Sequence, residues 1–138
     1  EYISESHGQD VRALVVGGEV VASMRRKAHG GEFRSNFHLG GSVSNVELTD
    51  EQKRISVKAA ETLGLDIAGV DMLDSGRGPL VLEVNSSPGL EGIEGATRVN
   101  VASKIAEYLK VRYTTIHEEL GLGQPDESHA DSSESSIA

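Results

Sequence analysis

Asp71, Glu83 and Asn85 are the residues of this 138-residue chain whose types and spacing could do chemistry together. They lie in AGVDML, residues 68–73, and GPLVLEVNSSPG, residues 78–89. Side chains alternate along a strand, so Glu83 and Asn85 share one face while Leu82 and Val84 take the other. If Gly76-Arg77-Gly78 is the loop between the two runs, Ser75 faces Pro79, Leu73 faces Val81 and Asp71 faces Glu83. Directly opposed residues share a face of a sheet, so two carboxylates and a carboxamide converge on a stiff element. Carboxylates that close repel unless a proton or a cation lies between them. Oxygen donors without His or Cys suit a hard ion, Mg2+ or Mn2+, that keeps water and takes substrate phosphates for its other positions. A slip of one residue would turn Asp71 to the opposite face and dissolve the set. The alternative is a half-exposed sheet whose two carboxylates simply face water.

Two further stretches favour the first reading. NSSPG is a sharp polar exit directly beyond Asn85, which puts the cluster at a strand end beside a loop. The Gly-rich segment 30–42 holds Arg34, Ser35, Asn36 and Gly40-Gly41, and a guanidinium with backbone amides is what a polyphosphate requires. Alone, that segment could equally be a flexible connection. His38 is a candidate general base, although a lone His in a loop is more often hydrogen-bonded or exposed. His7, His29, His117 and His129 lack the spacing of a metal site. Pro88-Gly89 reads as a turn. Gly92 and Gly95 read as places where the backbone passes close to something, substrate included.

These residues need elements to hold them. VRALVV (11–16) and EVVASM (19–24) flank Gly17-Gly18 and predict a hairpin. Residues 25–42 have no sustained period and read mostly as loop. Thr49 is a good N-cap, Gln52 completes a capping box, Ile55, Ala59 and Leu63 recur with Ala60 beside them, and Gly64 can close the helix. AGVDML and PLVLEVN form a second hairpin over 68–85. Asn100 can cap VASKIAEYLKVRY, whose Val101, Ile105, Tyr108 and Leu109 make one apolar stripe. Hairpin, helix, hairpin, helix predicts an α+β fold: an antiparallel sheet of hairpins packed with two main helices on one face, rather than a doubly wound parallel sheet.

The composition sets outer limits. There is no Cys and no Trp, which removes disulfide and thiolate-metal readings and fits a reducing cytoplasmic setting. No apolar run reaches membrane-spanning length, and no signal peptide is visible. The net charge is −9, and residues 114–138 carry six carboxylates with no Lys or Arg, leaving −3 for the rest. Direct nucleic-acid binding and membrane association therefore find no support. The expected organisation is a folded part over residues 1–113 and a disordered acidic tail over 114–138, either solvated or recruiting a partner. The chain begins at Glu1 without Met and reads as a piece of a longer protein.

With these residues in view, EYI…GQDVRALVVGGEVVASMRR, GEFRSNFHLGG, AGVDML and GPLVLEVNSSPGLEGIE together resemble the C-terminal part of the ATP-grasp family, and within it the RimK-type glutamate ligases. The resemblance runs from Glu1 to about Tyr113; RSNFHLGG with LEVNSSPGLEGIE is its specific part. It implies an ATP-dependent carboxylate–amine ligase working through an acyl phosphate, with ATP and two Mg2+ or Mn2+ ions. It implies that Glu83 bridges both ions, with Asp71 and Asn85 each on one. By the same resemblance Glu1 and Tyr2 border the adenine, Asp10 contacts the nucleotide, and Arg34, Ser35 and Asn36 face nucleotide and phosphates. Arg26 and Arg34 would act at the transfer, with Arg12 aiding the phosphates or the acyl phosphate. The plainer alternatives are a cross-strand ion pair for Arg12 and a solvated charge for Arg26. The implied partners are glutamate and a small-subunit ribosomal protein whose C-terminus is extended; an oligomer is compatible. An amino-group carrier protein or other small acceptor is an alternative, as is a non-catalytic binding module. The family carries an N-terminal domain and a lid ahead of the matching segment, so this chain alone is expected to be inactive.

Overall fold

The computed structural model describes residues 6–27 and 42–122. β1 (Gln9–Val16) turns into β2 (Glu19–Lys27) through Gly17-Gly18, whose φ angles of 59° and 81° are the left-handed pair that a tight hairpin turn requires. β3 (Ser42–Asn45), α1 (Asp50–Thr62), β4 (Ile67–Leu73), β5 (Leu80–Asn85), α2 (Glu91–Thr97) and α3 (Val101–Glu119) follow. The strands make one antiparallel sheet in the order β3-β2-β1-β4-β5. The fold is α+β, and β2, β1 and β4, each paired on both sides, are its rigid centre.

The expectation of helices on one face is corrected. α1 covers one face, where Val11, Ala13, Val15, Ala68, Val70 and Met72 meet Leu48 and Ala60. α2 and the first turn of α3 cover part of the other, where Leu14, Ala22 and Met24 meet Ile93 and Val101. The unbroken apolar run ALVV in β1 is the trace of this arrangement, because a strand buried on both faces loses its alternation. α2 itself was not expected. It is seven residues long, holds two glycines and lacks a side-chain N-cap, so its local propensity is poor and the fully buried Ile93 must hold it by packing.

α1 carries the expected caps. Thr49 Oγ1 accepts from the Gln52 N–H at 3.2 Å, and Gln52 Oε1 accepts from the Thr49 N–H at 2.9 Å. At the other end Gly64 donates to Glu61 C=O and Leu65 to Ala60 C=O, a Schellman closure around Gly64. Its buried stripe is Gln52, Ser56 and Ala60, one position off the expected Ile55, Ala59 and Leu63. The polar members are tolerated because both are satisfied. Gln52 Nε2 donates to Asp74, and Ser56 Oγ donates to the Gln52 carbonyl.

Two segments differ in extent from expectation. β2 runs to Lys27 and β3 starts at Ser42, so both ends of the segment read as loop are strand. Asn100 does cap α3, its Oδ1 accepting from the Ser103 N–H at 2.9 Å, but the helix passes Tyr113 and reaches Glu119. Nothing in TTIHEE breaks a helix; the stop is Gly121, at φ 66°, where Gly121 N–H donates to Glu118 C=O and Leu122 N–H to His117 C=O, a second Schellman closure. The expected boundary at Tyr113 therefore falls inside a helix. The chain divides into two compact units, Glu1–Ile105 and Ala106–Ala138. Residues 123–138 of the expected tail lie outside the described residues. Among the described residues no helix is long and apolar enough to cross a membrane.

Candidate functional site

One sheet face is half apolar and half charged. On β1, Leu14 lies under α2, while Asp10 and Arg12 continue the same face outward. The ladder places Arg26 opposite Asp10, Asp71 opposite Arg12, Glu83 opposite Asp71 and Asn85 opposite Gly69. The expected convergence of Asp71, Glu83 and Asn85 is thus met, by a different route. Leu73 pairs with Leu80 and Met72 with Val81, not Leu73 with Val81, so the turn is tighter than expected. A bulge between Asp71 and Met72 then absorbs one extra residue on β5 and restores Asp71 to Glu83. Leu82, at the bulge, is exposed rather than in the core.

The charges form a chain across three strands. Arg12 Nε donates to Asp71 Oδ1 at 2.6 Å and its Nη2 to Oδ2 at 2.8 Å. Arg26 Nη2 donates to the same Oδ2 at 2.6 Å. Arg26 also grips Asp10 with Nε and Nη2, at 2.8 and 2.5 Å. Asp10 and Asp71 are buried, and the side chains of Arg12 and Arg26 are only 15% and 13% exposed. Burial alone would lower the Arg26 pKa; its hydrogen bond to Asp10 and the charges of Asp71 and Asp10 outweigh that and leave it above its ordinary value. Among the described residues every buried side-chain polar atom has a partner.

The exit from β5 folds back onto this face. Asn85 Oδ1 accepts from the Ser87 N–H at 2.8 Å, a local Asx turn that bends NSSP sharply. Pro88 then lies on Gly69: a Cβ built there would sit 2.9 Å from Pro88 Cβ and 3.8 Å from Arg12 Nε. Gly69 is therefore the residue that lets the turn settle beside Arg12. Sequence reasoning passed over it. The available signal was a glycine inside a strand, which marks a bulge or a close backbone approach.

The donor set fits a hard divalent cation in chemistry. Among the described residues no three His, Cys, Asp or Glu side chains gather at metal-ligand spacing, so the set is two carboxylates and an amide. Glu83 is exposed on the edge strand, and Asn85 Oδ1, accepting one hydrogen bond, keeps a second lone pair. Asp71 accepts three guanidinium N–H bonds, so sharing it with a cation means that a guanidinium turns aside. Arg12 forms the cross-strand ion pair expected as its plainer alternative. Arg26 is largely covered and doubly paired, which sets aside the solvated-charge reading. Asp10 serves Arg26 with both oxygens. Glu1, Tyr2, Arg34, Ser35, Asn36, His29 and His38 lie outside the described residues.

Among the described residues, depressions are found at the margins of the sheet. A recess of about 70 Å³ beside the charged face is lined by Asp10, Arg25 and Asp74 among others. Larger depressions, about 340 and 530 Å³, border β2 and α1 away from the charges. A small substrate held on this face needs a second wall from elsewhere to bury it.

Comparison with known proteins adds to this geometry. The sequence model of the RimK-like ATP-grasp domain matches residues 1–109. The chain is 56% identical over 112 residues to a probable alpha-L-glutamate ligase of Aeromonas salmonicida (strain A449), covering 81% of this chain and 38% of that protein. It is equally 56% identical over 112 residues to a probable alpha-L-glutamate ligase of Serratia proteamaculans (strain 568), covering 81% and 37%. The chain thus spans less than two-fifths of these relatives. Among solved structures it is similar to the ATP-grasp ligase PsnB complexed with a phosphomimetic variant of minimal precursor, Mg and ADP. That likeness has a TM-score of 0.65 at 26% identity, over 82% of this chain and 34% of PsnB. A PsnB complex with minimal precursor, Mg and ADP gives 0.61 at 30% identity, over 75% and 33%.

Proposed function

We propose, for a chain that belongs to the RimK-like ATP-grasp family, that the charged half-face is the metal and phosphate side of an ATP-dependent carboxylate–amine ligase. The observation that carries the proposal is the register. Asp71 is directly opposite Glu83, Asn85 shares their face, and two largely covered guanidinium groups lie alongside. Asp71, Glu83 and Asn85 would hold the ions, Mg2+ or Mn2+. Bound there, a divalent cation supplies neutralisation of the phosphate charge during transfer.

The chain's own residues do the positioning. β1 and β4 hold Arg12 and Asp71 on strands that cannot shift singly, because each is paired on both sides. Arg26, gripped by Asp10, presents fixed positive charge beside the phosphate side, Arg12 adds a second guanidinium, and their low exposure keeps that charge weakly screened. Asp10 keeps Arg26 oriented. Gly69 and Pro88 seat the NSSPG turn over the same face and orient Asn85 through Ser87.

The reaction proposed is phosphoryl transfer from ATP to a carboxylate, followed by displacement of phosphate by an amine to form an amide. Glutamate as the amine is supported by the glutamate-ligase names of the relatives. A peptide or protein acceptor is supported by a PsnB complex with precursor peptide PsnA2 and AMPPNP. The acceptor we propose, on the RimK resemblance, is the C-terminal carboxylate of a small-subunit ribosomal protein, in the cytoplasm. The test is ADP release by the full-length protein with Mg2+, glutamate and that acceptor. Loss of turnover in Glu83→Gln, at unchanged thermal stability, is the expected result. Wild-type turnover in that variant would remove Glu83 from the site.

A further inference from the structure

We infer that Arg12 couples cation binding to phosphate binding on this face: it neutralises Asp71 when neither is bound, and turns to the phosphate when a divalent cation takes Asp71. The inference rests on the metal and phosphate reading above and goes beyond it, because it assigns to one arginine a linkage between two ligands.

The two arginines that hold Asp71 are not equivalent. Arg26 has a second carboxylate, Asp10, gripped through two nitrogens, so it keeps an anionic partner whatever happens to Asp71. Arg12 has Asp71 as its only ion-pair partner among the described residues. Both Arg12 donors reach Asp71, one to each oxygen, so a cation approaching either oxygen meets the Arg12 charge directly. Repulsion at that range makes simultaneous occupation unfavourable. Arg12 cannot simply be released either. Its side chain is 15% exposed, and a guanidinium without a partner in such a place is costly. An anion must replace Asp71. A phosphate oxygen pair matches the same two-nitrogen fork.

Each ligand therefore removes the other's obstacle. Phosphate draws Arg12 away and opens Asp71; a cation on Asp71 frees Arg12 for phosphate. Linkage makes the effect reciprocal in the two affinities. In the absence of both, Asp71 and Arg12 neutralise each other, which leaves Glu83 and Asn85 to attract a cation without Asp71.

The experiment is Mn2+ binding to full-length wild-type protein and Arg12→Gln, followed by electron paramagnetic resonance with and without inorganic phosphate. Arg12→Gln leaves Asp71 paired with Arg26, so the fold should survive, and circular dichroism checks it. Without phosphate the variant should bind Mn2+ at least about fivefold tighter than wild type, the low end of ordinary site-to-site coupling. Phosphate should tighten Mn2+ binding in wild type and not in the variant. If Arg12→Gln does not fold, Arg12→Lys keeps the charge but loses the fork, and should show tighter Mn2+ binding than wild type in the same direction. Equal or weaker Mn2+ binding by a folded variant without phosphate overturns the coupling while leaving the metal site standing. No Mn2+ binding by either protein, with or without phosphate, overturns the metal reading and the coupling with it.

Discussion

Gly69→Ala tests whether the turn after β5 is seated by the sheet. The new Cβ would lie 2.9 Å from Pro88 Cβ. Carbon atoms rest comfortably at about 3.5–4.0 Å, so a gap of about 0.6–1 Å must open. Gly69 sits on β4, buried and bonded to β1 and β5, and is the partner less able to move. Pro88 belongs to a turn whose Ser86, Ser87 and Gly89 are exposed, so the turn should lift. Lifting pulls Ser87 from Asn85 Oδ1, a loss of about 1 kcal/mol, within the about 1–3 kcal/mol typical of overpacking. For a protein of the relatives' size, that lowers the melting temperature by about 2–4 °C per kcal/mol, so by about 2–12 °C. The effect on turnover should be larger, because displacing positioning groups by about 1 Å costs on the order of 100-fold in rate. The assay is ADP release beside thermal unfolding in the full-length protein. Wild-type turnover in Gly69→Ala would refute the reasoning. So would a collapse of stability well beyond that range, which would put the strain in the sheet and not in the turn.

Asp71→Asn should behave differently from Glu83→Gln. It leaves two largely covered arginines with one carboxylate and should destabilise by up to about 3 kcal/mol, read by chemical denaturation, besides abolishing ADP release. A stability equal to that of Glu83→Gln would mean that the Asp71 network contributes nothing. Thr49→Ala removes one arm of the α1 capping box and should cost about 0.5–2 kcal/mol by the same denaturation measurement, with turnover per folded molecule unchanged.

What was legible in the sequence was what local chemistry determines. Thr49, Gln52, Gly64 and Asn100 announce helix ends because capping is a matter of a few neighbouring residues. Gly17-Gly18 announces a hairpin for the same reason. The pairing of Asp71 with Glu83 was reached through a looser turn without the bulge, and the two departures cancel. A bulge has no local signature in LVLEVN, so only the sheet reveals it. α2 was hidden because Gly92 and Gly95 argue against a helix that Ile93 secures through distant contacts with β2 and β3. The partnership of Arg12 and Arg26 with Asp71 spans 59 and 45 residues, and it appears only once both hairpins lie side by side.

The division of the sheet face also says how such a site tolerates its own charges. Arg12 and Asp71 occupy two of the three interior strands, where backbone pairing on both sides fixes them, and each neutralises the other. Glu83 stands on the edge strand, exposed, next to a bulge. A carboxylate there loses little hydration on folding and needs no internal partner, so it remains available to a ligand. On this face, among the described residues, buried charge is thus confined to positions that pair, and the carboxylate without an ion pair to an exposed edge strand. Moving the unpaired carboxylate inward would reverse that arrangement. It would either bury an uncompensated charge or recruit Arg12 or Arg26 away from Asp71. The edge position of Glu83 is therefore what allows the face to carry a carboxylate reserved for a cation while the rest of the network stays closed.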